Sequence, residues 1–434
     1  MIAPGMRLEI GSVGVRDLAA NRGTRLDGRT LCVDLAELRD LALEDRRFVD
    51  VEVHLARPGE SVRIVHALDV VEPCWKVGGP GGVFPGFVSP TTGVGEGRTQ
   101  RLAGVAVVPT GDPVPGEATH FREHLIDMAG PGADLSPFAH TLNVVLRFRA
   151  NLDRFPPGSA ALTDGIVGSP DAIEYNRGVM QATLKVAARL GRVVEGVEPD
   201  EVEAFALPPC DPALPRVLCV TQFLSHVPFL YGLRAAVPLG ALVHPNECFD
   251  GALVRWPGAF LGGTYFEQNG EILKSLCRRH GSDLAFVGYL VWGGPTPYRE
   301  DKERAASAVV RLARLLQARA VVFLGSNGSN HAVDLMLAIQ KCERAGIATV
   351  LVYNDVGAGA DDPGFIFAVP EADAIVSAGA RDLTVELPAP GRVIGGERLV
   401  APDLDPWSAV TVPLRYLFGA TDVQGHNRLT TRFA

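Results

Sequence analysis

A chain of 434 residues is longer than one hydrophobic core usually supports, so two or more domains are expected. Apolar residues make up 47% and charged residues 21%, the make-up of a globular protein. The net charge of −9 argues against general affinity for nucleic acid or anionic membrane surfaces.

The opening MIAPGMRLEIGSVGV has no charged segment followed by an apolar one, and it predicts no secretory leader. Short runs with strand character recur through the first half: RLEIGSVGV, FVDVEVHLA, SVRIVHALDVV, LAGVAVVPT and TLNVVLRFR. Turn clusters such as ARPGES and GGPGGVFPG separate them, so a β-rich domain is expected over 1–195. Near its end a helix is predicted over about 171–190, with Ser169 as N-cap, Pro170 at N1 and Gly191 just past the end. Residues 196–214, rich in proline and acids, read as an exposed linker.

From 215 to 434 the rhythm changes. PRVLCVTQF and DLAFVGYLV are apolar runs, and DKERAASAVVRLARLLQA repeats apolar residues at 305, 309, 312 and 316, a helical spacing. ARAVVFLG, IATVLVYND and DAIVSAG read as further strands, with a helix from about 331 to 345 ending at Gly346. Alternating strands and helices predict a doubly wound, mainly parallel α/β domain. The apolar runs, such as AVVFLG at 320–325, are strand-length and predict no membrane span. The fold class is therefore α/β, a β-rich domain followed by a parallel one.

Ligands of parallel sheets gather at the carboxyl ends of the strands. Three loops fall there: TQFLSH from 221, GSNGSN from 325 and NDVGAGADD from 354. GSNGSN, with Asn327 and Asn330, either holds an anion at a helix start or is a tight turn capped by Asn330. Asn354 and Asp355 either orient a polar ligand or form an Asx-type turn. His226 and His331 share this edge, as acid–base groups or as structural histidines. Seven scattered cysteines without a CxxC pair fit reduced thiols in a cytoplasm, and no metal site is expected. Among them Cys248 is the candidate nucleophile, weighed against a buried small hydrophobe.

Several segments, taken together, carry a resemblance. They are VDVEVHLARPGESVRIVHALDVVEPCWKVGGPGGVFPG (49–86), IDMAGPGADLSPFAHTLNVV (126–145), PDEVEAFALPP (199–209), FDGAL (249–253), EDKER (300–304), VDLML (333–337), RVIGG (392–396) and FGATDVQGHN (418–427). In this order, over essentially the whole chain, they resemble the component B proprotein of the glycine/sarcosine/betaine reductases. The resemblance implies a chain that cuts itself at an Asn–Cys bond into α and β fragments that stay together. The cysteine becomes a pyruvoyl group, a ketone that takes up an amine substrate, and a partner subunit offers a selenocysteine or cysteine to attack the substrate carbon.

One segment departs from that pattern. The tetrapeptide before the family's cleavage site is present as Phe249-Asp250-Gly251-Ala252, but Arg255-Trp256-Pro257-Gly258-Ala259 follows, with no Asn–Cys. Cys248 lies on the other side of the tetrapeptide, after Glu247. A pyruvoyl group arises by loss of a side-chain substituent, which proline, glycine and alanine do not carry. The expectation is an uncut chain without pyruvoyl or another cofactor.

The reading that follows is a cytoplasmic subunit of a hetero-oligomeric reductase-like complex, joined to a partner with a reactive Cys or selenocysteine. It would position a small amino-acid-like or carboxylate substrate for C–N cleavage or related C–S bond formation, without contact to nucleic acid or membrane. Cys248, Asp250 and His226 are the catalytic candidates; Trp256, Gly258, Asn327, Asn330 and Asp355 are the substrate-binding ones. The alternatives are a non-catalytic scaffold and a free-standing enzyme using Cys248, His226 or Asp355.

Overall fold

The computed structural model describes residues 5–115, 124–154, 162–163, 166–167, 169–224, 228–235, 239–256, 262–294, 298–326, 329–355, 365, 367–399, 403–426 and 429–432. It is a mixed α/β structure with several sheets, the largest of seven strands. Across that sheet lie Ala241–Val243, Ala285–Gly294, Arg216–Leu224, Ala320–Ser326, Ala348–Asp355, Ile375–Ala380 and Thr430–Arg432. The five inner strands pair in parallel, and the two outer ones are antiparallel. By chain order the inner strands read 2-1-3-4-5, so the winding reverses between Arg216–Leu224 and Ala320–Ser326, where such sheets open a crevice.

The two faces of the sheet are covered differently. Helices Arg299–Leu315 and Ser329–Arg344 bury Leu218, Val220, Phe323 and Leu351 on one face. The other face carries Cys219, Phe223, Leu324 and Val352 into the core of the N-terminal half, beside the short helices Pro245–Phe249 and Glu271–Arg279. Both faces are therefore apolar, which is why these strands read as continuous apolar runs.

In the N-terminal half, Arg7–Gly14 pairs in parallel with Gly97–Ala103, and Leu142–Ala150 lies between Phe48–Ala56 and Val105–Gly111. The helix Pro170–Gly191 begins as expected, with the Ser169 side chain accepting from Ala172 N at 3.2 Å. Gly191 is not past its end but in its last turn. A Cβ there would collide with the Cys74 backbone, so the glycine serves close packing rather than a left-handed turn. In GGPGGVFPG, Gly86 has φ +85° and lies against the backbone of Tyr231.

Two segments tie the halves together. Glu201–Ala206, within the stretch read as a linker, forms a strand antiparallel to Arg7–Gly14, with Phe205 turned into the core. Arg392–Gly395 runs parallel to Val62–Val65, so a late segment completes a sheet of the N-terminal half. Arg63, 0% exposed, secures that return. It donates to Asp127 at 2.7 and 2.9 Å, to the carbonyls of Pro406 and Pro388 at 2.9 Å, and to that of Ser408 at 3.0 Å.

Candidate functional site

The FDGA turn follows the helix Pro245–Phe249, which starts with His244 in a reciprocal cap with Glu247. Cys248 sits inside this helix, 0% exposed. Burial first, then nearby Glu267, raises its thiol well above the ordinary value, so a thiolate is disfavoured. Asp250, also buried, accepts from Lys76, Thr99 Oγ1 and Gly95 N, the last at 2.7 Å. Burial still leaves its carboxyl above the usual range. These contacts tie the turn to the N-terminal sheet.

Past the turn the chain reaches Arg255 and Trp256, and it is described again from Gly262. Trp256 is a core residue, 1% exposed and stacked on Phe229. The ends of this segment are held by a buried polar network. Arg255 N donates to Thr264 Oγ1 at 3.0 Å, and its Nε donates to Glu267 at 2.8 Å. The Arg255 guanidinium lies over the Phe223 ring, at the carboxyl end of the first inner strand. Thr264 donates from N and from Oγ1 to Asp69, each at 2.7 Å, and Gln424 Nε2 donates to Glu267 at 3.3 Å. Asp422 Oδ2 accepts from Gln424 N at 3.0 Å.

Two of these acids stand apart electrostatically. Burial pushes Asp69 and Asp422 each up to about 7, against hydrogen bonds and the Arg255 charge that pull the other way. A carboxyl at that value gives or takes a proton near neutrality. Asp422 borders a pocket of about 20 Å³, room for one water, with His124, Gly262 and Thr421. Burial, then Arg381 nearby, lowers His124 to about 4, so its imidazole is neutral.

On the helix face of the sheet, Lys302 and Asp334 form a buried pair at 2.7 Å below the first turn of Ser329–Arg344. Asn330 lies in that turn rather than at its cap, and its residue surface is exposed. His331 is lowered to about 4, by burial first and then by Arg381. Asp355 ends its strand, and its side chain lies outside the described residues, as do His226, Gly258 and Asn327. The described candidates are thus not one constellation: Cys248, Asp250 and Trp256 are interior, and Asn330 is on the surface of the far edge.

Sequence reading passed over Asp69, Glu72, Arg255, Thr264, Glu267, Asp422, Gln424 and His124. The signal for several was present: Asp69 and Glu72 interrupt the apolar run HALDVVEP, and Asp422 and Gln424 lie in FGATDVQGHN. Charged residues inside apolar stretches are buried only when paired or in use.

Glu72 completes the network's far end. Its backbone N–H donates to Gln268 Oε1 at 3.0 Å, and its carboxylate accepts from Asn269 at 2.9 Å and pairs with Arg101 at 3.2 Å. Lys274, donating to Asn269 Oδ1 at 3.1 Å, is lowered to about 8 by burial and then by Arg101.

The model of one protein family, glycine/sarcosine/betaine reductase component B subunits, matches residues 6–432. The glycine reductase complex component B subunits alpha and beta of Acetoanaerobium sticklandii are 32% identical over 98% of this chain and 100% of their own. The sarcosine reductase complex component B subunit alpha of Peptoclostridium acidaminophilum is 32% identical over 99% of this chain and 100% of its own. The betaine reductase complex component B subunit alpha of the same organism is 29% identical over 92% of this chain and 90% of its own. No solved structure matches.

Proposed function

Since the chain belongs to the glycine/sarcosine/betaine reductase component B family, we propose that it is a subunit of a reductase-like complex that works without a pyruvoyl group. It holds a small amino-acid-like or carboxylate substrate while a thiol or selenol of a partner subunit attacks the substrate carbon. A C–S or C–Se bond forms, the C–N bond breaks, and its electron pair leaves with the nitrogen. Asp422 in its neutral form supplies the proton that a departing neutral amine needs. Asp69 keeps Thr264 and the end of the segment in place.

The observation that carries this reading is the pair of buried carboxyls at about 7 under the influence of Arg255, Asp69 bonded to Thr264 and Asp422 beside Gly262, next to the segment where the resemblance places the family's cleavage site. The absence of pyruvoyl is supported by the thiols nearby: Cys248 and Cys277 are buried within helices, where a scissile peptide bond would be held in helical geometry. The residues present do not fit the group, and no step is assigned to it.

Two measurements test the proposal. Intact mass is expected to give one species at 46.2 kDa with no hydrazide-reactive carbonyl; two fragments would overturn the cofactor reading. With a thiol- or selenol-bearing partner, Asp422→Asn is expected to lower amine release about 10²–10⁴-fold without loss of the complex. A stable complex that releases no amine from any substrate would select the scaffold reading, which the burial of Cys248 favours.

A further inference from the structure

The stretch read from sequence as an exposed linker walls a pocket at the amino edge of the seven-stranded sheet. The pocket holds about 450 Å³, within the range of small-ligand sites. Its floor is the start of the strand Ala285–Gly294, where Phe286 and Val287 are buried. Leu207 and a proline-rich turn form one side, and Leu315 and Leu316, at the end of helix Arg299–Leu315, form the other. Proline fixes φ, so the first side is stiff and the pocket is preformed. At the lip Leu315 stays 79% exposed.

One charge at this pocket is uncommitted. Arg216 donates from Nε to Leu316 O at 2.7 Å, which anchors its guanidinium, while its Nη groups have no partner among the described residues. Arg319, whose N–H donates to Arg216 O at 2.8 Å, likewise makes no ion pair among the described residues and adds to the positive field. His280 is fully used: Nδ1 accepts from Phe286 N–H and Nε2 donates to the Pro208 carbonyl, so its ring is neutral. Asp211, the one acid on the wall, turns its Oδ1 back to Ala213 N at 2.8 Å and forms no ion pair with Arg216.

We infer that this pocket binds a small monocarboxylate with an apolar body, its tail against Phe286 and Leu316 and its carboxylate on the Arg216 guanidinium. The walls favour a ligand with apolar surface to remove from water, and the anchored arginine favours an anion whose two oxygens match its fork. The site lies at the opposite end of the strands from Phe223 and Arg255. It is therefore separate from the reaction proposed above and does not rest on that reading.

Cys210, on the pocket wall, is the one cysteine of seven that is not buried, and its thiol reports occupancy. The test is calorimetric titration of the purified chain with acetate, hexanoate and hexan-1-ol at constant ionic strength, together with iodoacetamide alkylation of Cys210 followed by peptide mass. Hexanoate is expected to bind and to slow the alkylation, and affinity is expected to rise about fourfold per CH₂ from acetate upward. Hexan-1-ol, which has no charge for Arg216, is expected to bind at least about tenfold more weakly than hexanoate. Arg216→Gln is expected to weaken hexanoate at least about tenfold and to leave hexan-1-ol unchanged. Leu315→Glu, at an exposed position, is expected to weaken hexanoate about threefold by like charge at the lip, and it decides if Arg216→Gln does not fold. Hexanoate binding no tighter than acetate, hexan-1-ol binding equally well, an unprotected Cys210, or unchanged affinity in the folded variants each overturns the proposal.

Discussion

The two edges of the parallel sheet are built from the same residue types and treat them oppositely. At the amino edge His280 uses both ring nitrogens, Nε2 toward the Pro208 carbonyl at 2.7 Å and Nδ1 with Phe286 N–H at 3.1 Å. Arg216 there donates to Leu316 O at 2.7 Å. These groups close a pocket of about 450 Å³ walled mainly by Leu207, Pro208, Phe286 and Leu316. At the carboxyl edge His331 Nδ1, Gln222 Oε1 and both ends of Asn354 are unused, and the neighbouring carboxyls are held near neutrality. A polar group satisfied within the fold is committed to stability; one buried and unsatisfied calls for its own explanation.

That contrast can be broken by substitution. The largest effect is expected at the buried pair behind the carboxyl edge: Arg255→Ala strands Glu267 and costs about 3–5 kcal/mol of unfolding free energy, read by denaturant titration. A loss below about 1 kcal/mol would mean water reaches the cluster and weakens the case for carboxyls poised by burial.

Next comes Asp69. Its folded value of about 7, against an ordinary 3.8, means that the folded state holds the proton more tightly than the unfolded chain does. Its stabilising contribution is full below about pH 4 and is lost as pH rises through 7. Asp69→Asn keeps an acceptor for Thr264 N–H, removes that slope and is expected to be more stable than wild type at pH 8, by up to about 4 kcal/mol. Identical pH dependence in the two proteins would show that Asp69 is ionised throughout.

The smallest effect belongs to the amino edge. His280→Ala is expected to cost about 1–3 kcal/mol, for two hydrogen bonds left half-made, and to leave amine release by the complex unchanged. A loss of amine release would merge the two edges into one coupled unit.

The parallel sheet was legible because its strands are buried on both faces and therefore read as apolar runs spaced by helices. Phe48–Ala56 was legible as a run bounded by turns. Glu201–Ala206 was not, because an edge strand with Glu201 and Val202 turned to solvent looks like an acidic linker. The pairing of Arg392–Gly395 with Val62–Val65 could not be read either, since nothing local in four residues names a partner so far away. For the site, reading by residue chemistry favoured Cys248 and Trp256, whose reactivity and size are visible in one dimension. It passed over Asp69 and Asp422, whose character comes from burial that only the three-dimensional fold supplies.

The late return of Arg392–Gly395 also sets the order of events at birth. Arg63 reaches a carbonyl 345 residues further on, so the sheet around Val62–Val65 stays incomplete until almost the whole chain has left the ribosome. Such distant closures slow folding and leave apolar strand edges open meanwhile. A release from the ribosome before residue 395 would therefore give a nascent chain with this sheet unfinished, a natural client for a chaperone.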